Sequence, residues 1–283
     1  MYAVTGATGH LGKHVINSLL KTVSPNEIVA LVRDPQKGVP GTDRGVQVRA
    51  FDYSKPETHA PALEGVDRLL LISSSELGQR EAQHRAVIEA AKQAGVKFIA
   101  YTSILHADTN PLALAVEHRA TEALIKASGL SHTFLRNGWY TENYTESAGP
   151  AVAHGAWLGS GGEGKISAAS RVDYAEAAAI VLAGKASDAT YELAGDEAFT
   201  EGELAAALAE ASGQPVAYHY LPEADYAAAL EQVGLPAAFA AILADSSAKS
   251  GQGALFDDGR ALSRLIGRPT TDWRETVRKA VSA

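Results

Sequence analysis

The 283-residue chain carries 25 Lys and Arg against 33 Asp and Glu, a formal net charge of −8 at pH 7, with 46% hydrophobic residues; this supports an ordinary globular core and, without a basic run, argues against nucleic acid as a partner. The absence of cysteine excludes disulfides, thiolate catalysis and cysteine-ligated metal. No signal-peptide pattern opens the chain and no stretch reaches the roughly 18 apolar residues of a membrane span, so the expectation is a cytoplasmic protein without membrane insertion, of about two domains or one large α/β domain with an appendage.

Tyr2-Ala3-Val4 suits a buried strand, Gly6, Gly9 and Gly12 follow at a spacing of three, and Lys13 to Leu20 carries apolar residues at helical spacing. Gly6 permits a sharp turn off the strand, Gly9 lets the backbone approach a pyrophosphate, and Gly12 lets the helix pack on the strand. The free N–H groups at the helix start then face an anion. Gly6, Thr8, Gly9, His10, Leu11 and Gly12 are therefore candidate dinucleotide-phosphate residues; the alternative is a turn with no ligand.

The alternation of strands and helices that follows predicts an α/β fold, a Rossmann-like doubly wound parallel sheet with a smaller α/β C-terminal lobe. Ile28 to Val32 fits the second strand, and Arg33 ends it, 21 positions after Gly12. An arginine there accommodates a 2′-phosphate where a carboxylate would bind the ribose hydroxyl, which favours NADPH; Asp34 opposes this, and a solvated surface arginine is the alternative. A third strand over Gly45 to Phe51 ends at Asp52, a candidate for the adenine side. Pro56 suits a helix start and Gly65 its end. The fourth strand, Arg68 to Ile72, runs into Ser73, Ser74 and Ser75, expected at the ribose and nicotinamide half; the serines also suit a helix N-cap.

A helix from about Gln79 to Ala94 leads to a fifth strand, Phe98 to Thr102, followed by Ser103. Short-chain dehydrogenases usually place a catalytic serine here and a Tyr-x-x-x-Lys pair downstream, but none of the ten tyrosines has a lysine four places on. The corresponding helix carries His118 and Glu122 on one face, read as an ordinary surface pair in preference to a proton relay. The sixth strand, Ser131 to Arg136, opens into Asn137-Gly138-Trp139-Tyr140-Thr141-Glu142-Asn143-Tyr144. Asn137 and Asn143 can hydrogen-bond a carboxamide, while Trp139, Tyr140 and Tyr144 offer flat faces to an aromatic substrate; core packing is the competing role for these rings.

The Gly6-to-Gly12 pattern, the strand-end Arg33, Leu70-Leu71-Ile72-Ser73-Ser74-Ser75, Ala100-Tyr101-Thr102-Ser103 and Leu135-Arg136-Asn137-Gly138-Trp139-Tyr140 together resemble the NmrA-like, atypical short-chain dehydrogenase family, in particular its quinone-reducing branch. The likeness extends over almost the whole chain, through Tyr191-Glu192-Leu193-Ala194-Gly195 and Leu265-Ile266-Gly267-Arg268-Pro269-Thr270. It implies an NADPH-dependent reductase of quinones that uses no flavin or metal, with Asn137, Gly138, Trp139, Tyr140 and Arg171 at the nicotinamide end. A neighbouring branch reduces triphenylmethane dyes, and a more distant one senses dinucleotides without catalysis.

Ala156 to Ile166 reads as a glycine-rich turn between short strands that shapes a pocket; no helix follows it to make a second phosphate cradle. Ser170 to Asp173 precedes an alanine-rich helix. Thr200 and Glu203 have capping-box spacing, Gly213 ends that helix, Val216 to Leu221 gives a strand, and further helices start near Glu223, Pro236 and Trp273. The expected division is a dinucleotide domain over 1–135, with 166–195 returning to it, and a substrate lobe of 136–165 and 196–283, compatible with a homodimer, with a cleft between the lobes. The chemistry expected is hydride transfer from C4 of NADPH to a quinone, with Tyr140 as proton donor or carbonyl contact.

Overall fold

The computed structural model describes residues 1–185 and 187–282. These divide into two compact units: Met1–Ala107, Glu117–Asn137 and Arg171–Tyr191 form the first, and Asp108–Val116, Gly138–Ser170 and Glu192–Ala283 the second. In chain order the elements are β1 (Tyr2–Val4), α1 (His10–Leu19), β2 (Ile28–Val32), β3 (Gln47–Ala50), α2 (His59–Ala62), β4 (Arg68–Leu71), α3 (Arg80–Gln93), β5 (Phe98–Ile104), α4 (Ala115–Ser128) and β6 (Ser131–Asn137). They continue with α5 (Glu142–Thr145), α6 (Ala148–His154), β7 (Ala156–Gly159), α7 (Arg171–Ala183), β8 (Ala189–Leu193), α8 (Glu201–Ser212), β9 (Ala217–Tyr220), α9 (Glu223–Gln232), α10 (Ala237–Ser250), α11 (Ala261–Ile266) and α12 (Trp273–Ser282).

The first unit is built on a seven-stranded sheet in the order β3-β2-β1-β4-β5-β6-β8, parallel at each pairing from β3 to β6. Both faces are covered, which is why Ile28 to Val32 is apolar at every position and buried throughout. Ala3, Leu31, Leu69, Leu71, Ile99 and Tyr101 point into one layer, against Ala62, Val87, Ile88, Ala91 and Ile125. The alternate residues Val4, Ala30, Leu70 and Ala100 are equally buried on the other face. There α7 packs against α1 and against β4, β5 and β6. Helix α1 presents Leu11, Gly12, Val15, Ile16 and Leu19 inward, a stripe at helical spacing.

The second unit contains a two-stranded parallel pair, β7 with β9, running from Ala156 opposite Ala217 to Gly159 opposite Tyr220. Helix α8 opens with a complete capping box: Thr200 Oγ1 accepts from Glu203 N at 3.1 Å and Glu203 Oε2 from Thr200 N at 2.8 Å. The first residue of α8, Glu201, is buried and accepts hydrogen bonds from Gly161 N (2.9 Å), Ser247 Oγ (2.8 Å) and Tyr218 OH (3.0 Å). One carboxylate thus ties the loop after β7, strand β9 and helix α10 to α8. Burial pushes the Glu201 carboxyl above its ordinary range, against the lowering effect of those three bonds. Among the described residues no helix is long and apolar enough to cross a membrane.

Several local features differ from the sequence reading. The segment after Asn137 contains two short helices, α5 and α6; Pro150 falls in the first turn of α6, where its missing N–H costs no intrahelical bond. Helix α7 begins at Arg171, so Arg171 to Asp173 are its first turn. Helix α11 had no expectation; at six residues it is too short to show a stripe, and Arg260 caps it with a φ of 54°.

Replacing Thr200 by Ala removes the side chain that caps α8 and is expected to lower stability by about 1 kcal/mol. A shift of the urea midpoint without a change in slope checks this.

Candidate functional site

The strand order reverses at β1, which lies between β2 and β4. In open α/β sheets the crevice beyond the carboxyl ends of such strands receives the ligand. Gly6, with φ of 60°, turns the chain off β1 in a conformation glycine adopts without steric penalty. A Cβ on Gly12 would lie 2.3 Å from Gly6 O and 2.8 Å from Ala7 Cα, so only glycine lets α1 come down onto the turn. Gly9 is the extended N-cap of α1, and its N–H is donated to Gly6 O at 2.9 Å. Gly9 therefore contributes room and not a donor. Lys13 N donates to Gly9 O, and the N–H groups of His10, Leu11 and Gly12 before it are the donors that a helix start leaves unpaired. Thr8 is half-buried and His10 exposed beside them. The cradle fits an anion such as pyrophosphate.

The other strand ends supply side chains. Arg33 directly follows β2 and is 72% exposed, with Glu76 3.9 Å away across a solvent-screened gap. The Asp34 carboxylate accepts from Gln36 N at 3.0 Å, which turns it into its own loop. Asp52, after β3, is half-buried and accepts from Ser54 N at 3.0 Å. Ser73 and Ser75 retain surface exposure at the end of β4. Ser74 is buried and spoken for: its N–H goes to His84 Nε2 (3.0 Å), its hydroxyl to Gln83 Oε1 (2.5 Å), and its carbonyl accepts from Arg80 Nε (2.8 Å). The serines are not the cap of α3, whose N-cap is Gln79; Ser74 anchors the loop instead.

Because His84 Nε2 accepts from Ser74, its Nδ1 is the protonated nitrogen that donates to Thr121 Oγ1 (3.0 Å). Burial and the Arg80 guanidinium hold this imidazole neutral, down to a pKa of about 3. Beside it, Tyr101 OH pairs with His118 Nδ1 at 2.8 Å, and burial and Arg80 push His118 well below the ordinary histidine range.

His118 and Glu122 are buried, not a surface pair. They belong to different hydrogen-bond groups. Glu122 accepts from Arg136 Nε (2.9 Å) and Arg136 Nη2 (2.7 Å), and also from the Ser103 hydroxyl (2.6 Å). The serine at the dehydrogenase position therefore donates its proton to a carboxylate. Sequence reading missed this layer of Arg80, Gln83, His84 and Arg136. The available signal was spacing, since Arg80, Gln83 and His84 continue the buried stripe of Val87, Ile88 and Ala91 along α3.

At the end of β6, Asn137 is buried with its Oδ1 lacking a hydrogen-bond partner. An unmet buried acceptor is costly, and it suits a carboxamide N–H₂. Gly138 N donates to Leu193 O at 2.7 Å. Trp139, Asn143 and Tyr144 line a cavity of about 660 Å³ within the second unit. Tyr144 is also core: its ring meets Phe199 edge-on at 5.4 Å. Tyr140 bridges in parallel to Ala169 and does not line that cavity. Arg171, half-buried, starts α7 in the first unit.

The neutral His84 gives a pH test. Its imidazole binds a proton near pH 6.5 in the unfolded chain and only near pH 3 in the folded one, so in that window the unfolded state holds more protons and stability falls as pH falls. Urea midpoints are expected to drop from pH 7 to pH 5, and His84→Gln to flatten that dependence. An equal slope in the variant would assign the acid sensitivity elsewhere.

Residues 6–185 match the NAD(P)H-binding family model. The chain is 55% identical over 278 residues, 98% of its length and 97% of the relative's, to Quinone oxidoreductase 2 of Escherichia coli strain K12. It superposes with a TM-score of 0.96, at 99% coverage of both chains, on the crystal structure of the NADPH-dependent quinone oxidoreductase QOR2 of that species complexed with NADPH. The Citrobacter sp. triphenylmethane reductase complexed with NADP(H) is similar at 37% identity and a TM-score of 0.93, covering 98% of this chain and 99% of that one. With the glycine cradle at the switch point of a seven-stranded Rossmann-like sheet, these likenesses show that the chain belongs to the NAD(P)H-binding, NmrA-like reductase family.

Proposed function

We propose that the chain is an NADPH-dependent quinone reductase. The observation that carries this reading is the 55% identity, over nearly the full length of both chains, to an NADPH-dependent quinone oxidoreductase. When bound, the dinucleotide supplies a hydride from C4 of its nicotinamide, and the quinone leaves as the hydroquinone. Gly6, Thr8, Gly9, His10, Leu11 and Gly12 hold the pyrophosphate, Arg33 the 2′-phosphate, and Asp52 the adenine side. The ribose and nicotinamide are assigned to Ser73, Ser75, Asn137 and Arg171 of the first unit, with Ser74 fixing the loop from behind, and Gly138, Trp139 and Tyr140 of the second are further cofactor candidates. Trp139 and Tyr144, which line the cavity of the second unit, orient the quinone ring.

A quinone is already a strong electrophile, and its reduction needs alignment and a dry site more than a strong acid. This accords with Ser103 giving its proton to Glu122 and with the absence of a Tyr-x-x-x-Lys pair. The second proton comes from solvent. In this reading the enzyme works in the cytoplasm, as a monomer or homodimer, on a small molecule and not on nucleic acid.

Stopped-flow mixing with benzoquinone or naphthoquinone is expected to consume NADPH over many turnovers without added flavin or metal. Tight NADPH binding without turnover of any quinone or cationic dye would make the chain a dinucleotide sensor instead.

Arg33→Ala separates the cofactors. Charge-assisted hydrogen bonds to the 2′-phosphate are worth about 1.5–3 kcal/mol each, so the variant is expected to bind NADPH roughly 10- to 100-fold more weakly, with NADH affected far less. Equal weakening of both, by calorimetry, would mean that Arg33 supports its loop and does not read the phosphate.

A further inference from the structure

We propose that the cavity of the second unit takes a quinone bearing an apolar chain, the chain lying along an aliphatic wall and leaving through an apolar mouth. This rests on the reading of the protein as a quinone reductase and narrows its substrate. The cavity, about 660 Å³, falls in the range of roughly 300–1,000 Å³ typical of sites that enclose drug-sized ligands, and a bare benzoquinone ring would leave most of it empty. Its lining includes polar groups such as Glu201 and His154 and, beside them, two larger surfaces. Trp139, Asn143, Tyr144 and Trp157 contribute flat faces and an amide, suited to a conjugated ring with carbonyl oxygens. Ala229, Leu230, Val233, Leu235 and Leu243, from α9, the turn after it and α10, offer only hydrocarbon.

The aliphatic lining continues outward. Val233 and Leu158 both line the cavity and reach solvent, 74% and 38% exposed. Phe239, 47% exposed, precedes Leu243 by one turn of α10, so its side chain extends the same face. Val233 is mostly exposed and Leu158 and Phe239 partly so, and the apolar surface they hold in water is stabilised when an apolar chain covers it. The cavity interior and its rim thus call for one occupant, a ring with a hydrocarbon tail.

The test holds the quinone ring constant and lengthens an isoprenoid chain from none to two units. Because burial of each CH₂ is favourable, kcat/KM is expected to rise roughly tenfold or more for the first unit, mainly through KM. Val233→Asp, at an exposed position that tolerates a charge, is expected to bring the ratio of tailed to tail-less kcat/KM towards one. A ratio of one in the unsubstituted enzyme, with benzoquinone itself turned over, would overturn the tail site while leaving the reductase reading intact. If no quinone is turned over, the reductase reading fails, and quenching of tryptophan fluorescence by the tailed quinone still decides the site. Binding that strengthens with chain length and is weakened by Val233→Asp supports it, and binding indifferent to both overturns it.

Discussion

The approach of Gly12 to the carbonyl of Gly6 is the constraint on which the dinucleotide site depends. No side chain fits between them, and the contact sets both the height and the direction of α1 above β1. The first free N–H groups of that helix are thereby aimed at the space beyond the strand ends. A second restraint holds the walls of this space. Thr5 Oγ1 donates to Leu70 O (3.2 Å) and accepts from Ile72 N (2.8 Å), while Tyr53 OH lies 2.7 Å from Thr5 Oγ1 and 2.5 Å from Ile72 O. The ends of β1 and β4 are stitched together just where the glycine turn leaves and the serine loop begins. Burial drives the Tyr53 phenol to a high pKa, so it remains a neutral donor.

Behind this crevice the sheet is backed by polar groups where a purely apolar layer would be simpler. Arg80, His84, His118, Glu122 and Arg136 are all buried. Such groups cost free energy unless each finds a partner, and here each does: Arg136 grips Glu122 with two nitrogens, and the two histidines stay neutral between hydroxyl, backbone and guanidinium partners. A buried ion pair of this kind adds little net stability over a hydrophobic packing, but losing one partner is costly. What the arrangement supplies is orientation, because directional bonds fix the loop after β4 and the end of β5 more tightly than van der Waals contact does.

Much of this was legible in the chain itself, and the unread remainder has a physical pattern. The runs at Ile28 to Val32 and Phe98 to Thr102 declare buried strands because both faces of a parallel sheet demand apolar residues. The positions of Gly6, Gly12 and Arg33 follow from one-dimensional spacing, and so does the capping of α8 by Thr200 and Glu203. The partners of His118 and Glu122 could not be read that way. Both lie on one face of α4, but Tyr101 comes from β5 and Arg136 from β6, and only the register Ser103 opposite Arg136 brings that arginine to the carboxylate. Helices α5 and α6 were hidden for a different reason: segments this short have no periodicity to detect, and Gly149-Pro150 imitates a loop.

The hydrogen bond from Ser103 to Glu122 carries a consequence for redesign. A hydroxyl has one proton, and this one is committed to a buried carboxylate. Grafting a tyrosine and a lysine at dehydrogenase spacing would not by itself convert the scaffold to an alcohol dehydrogenase, because the serine proton would still be given to Glu122. Freeing it means replacing Glu122, which removes the two hydrogen bonds that this carboxylate accepts from the buried guanidinium of Arg136. The route between the two chemistries on this scaffold therefore runs through a coupled change at two positions outside the catalytic pair, and either change made alone meets a stability barrier first.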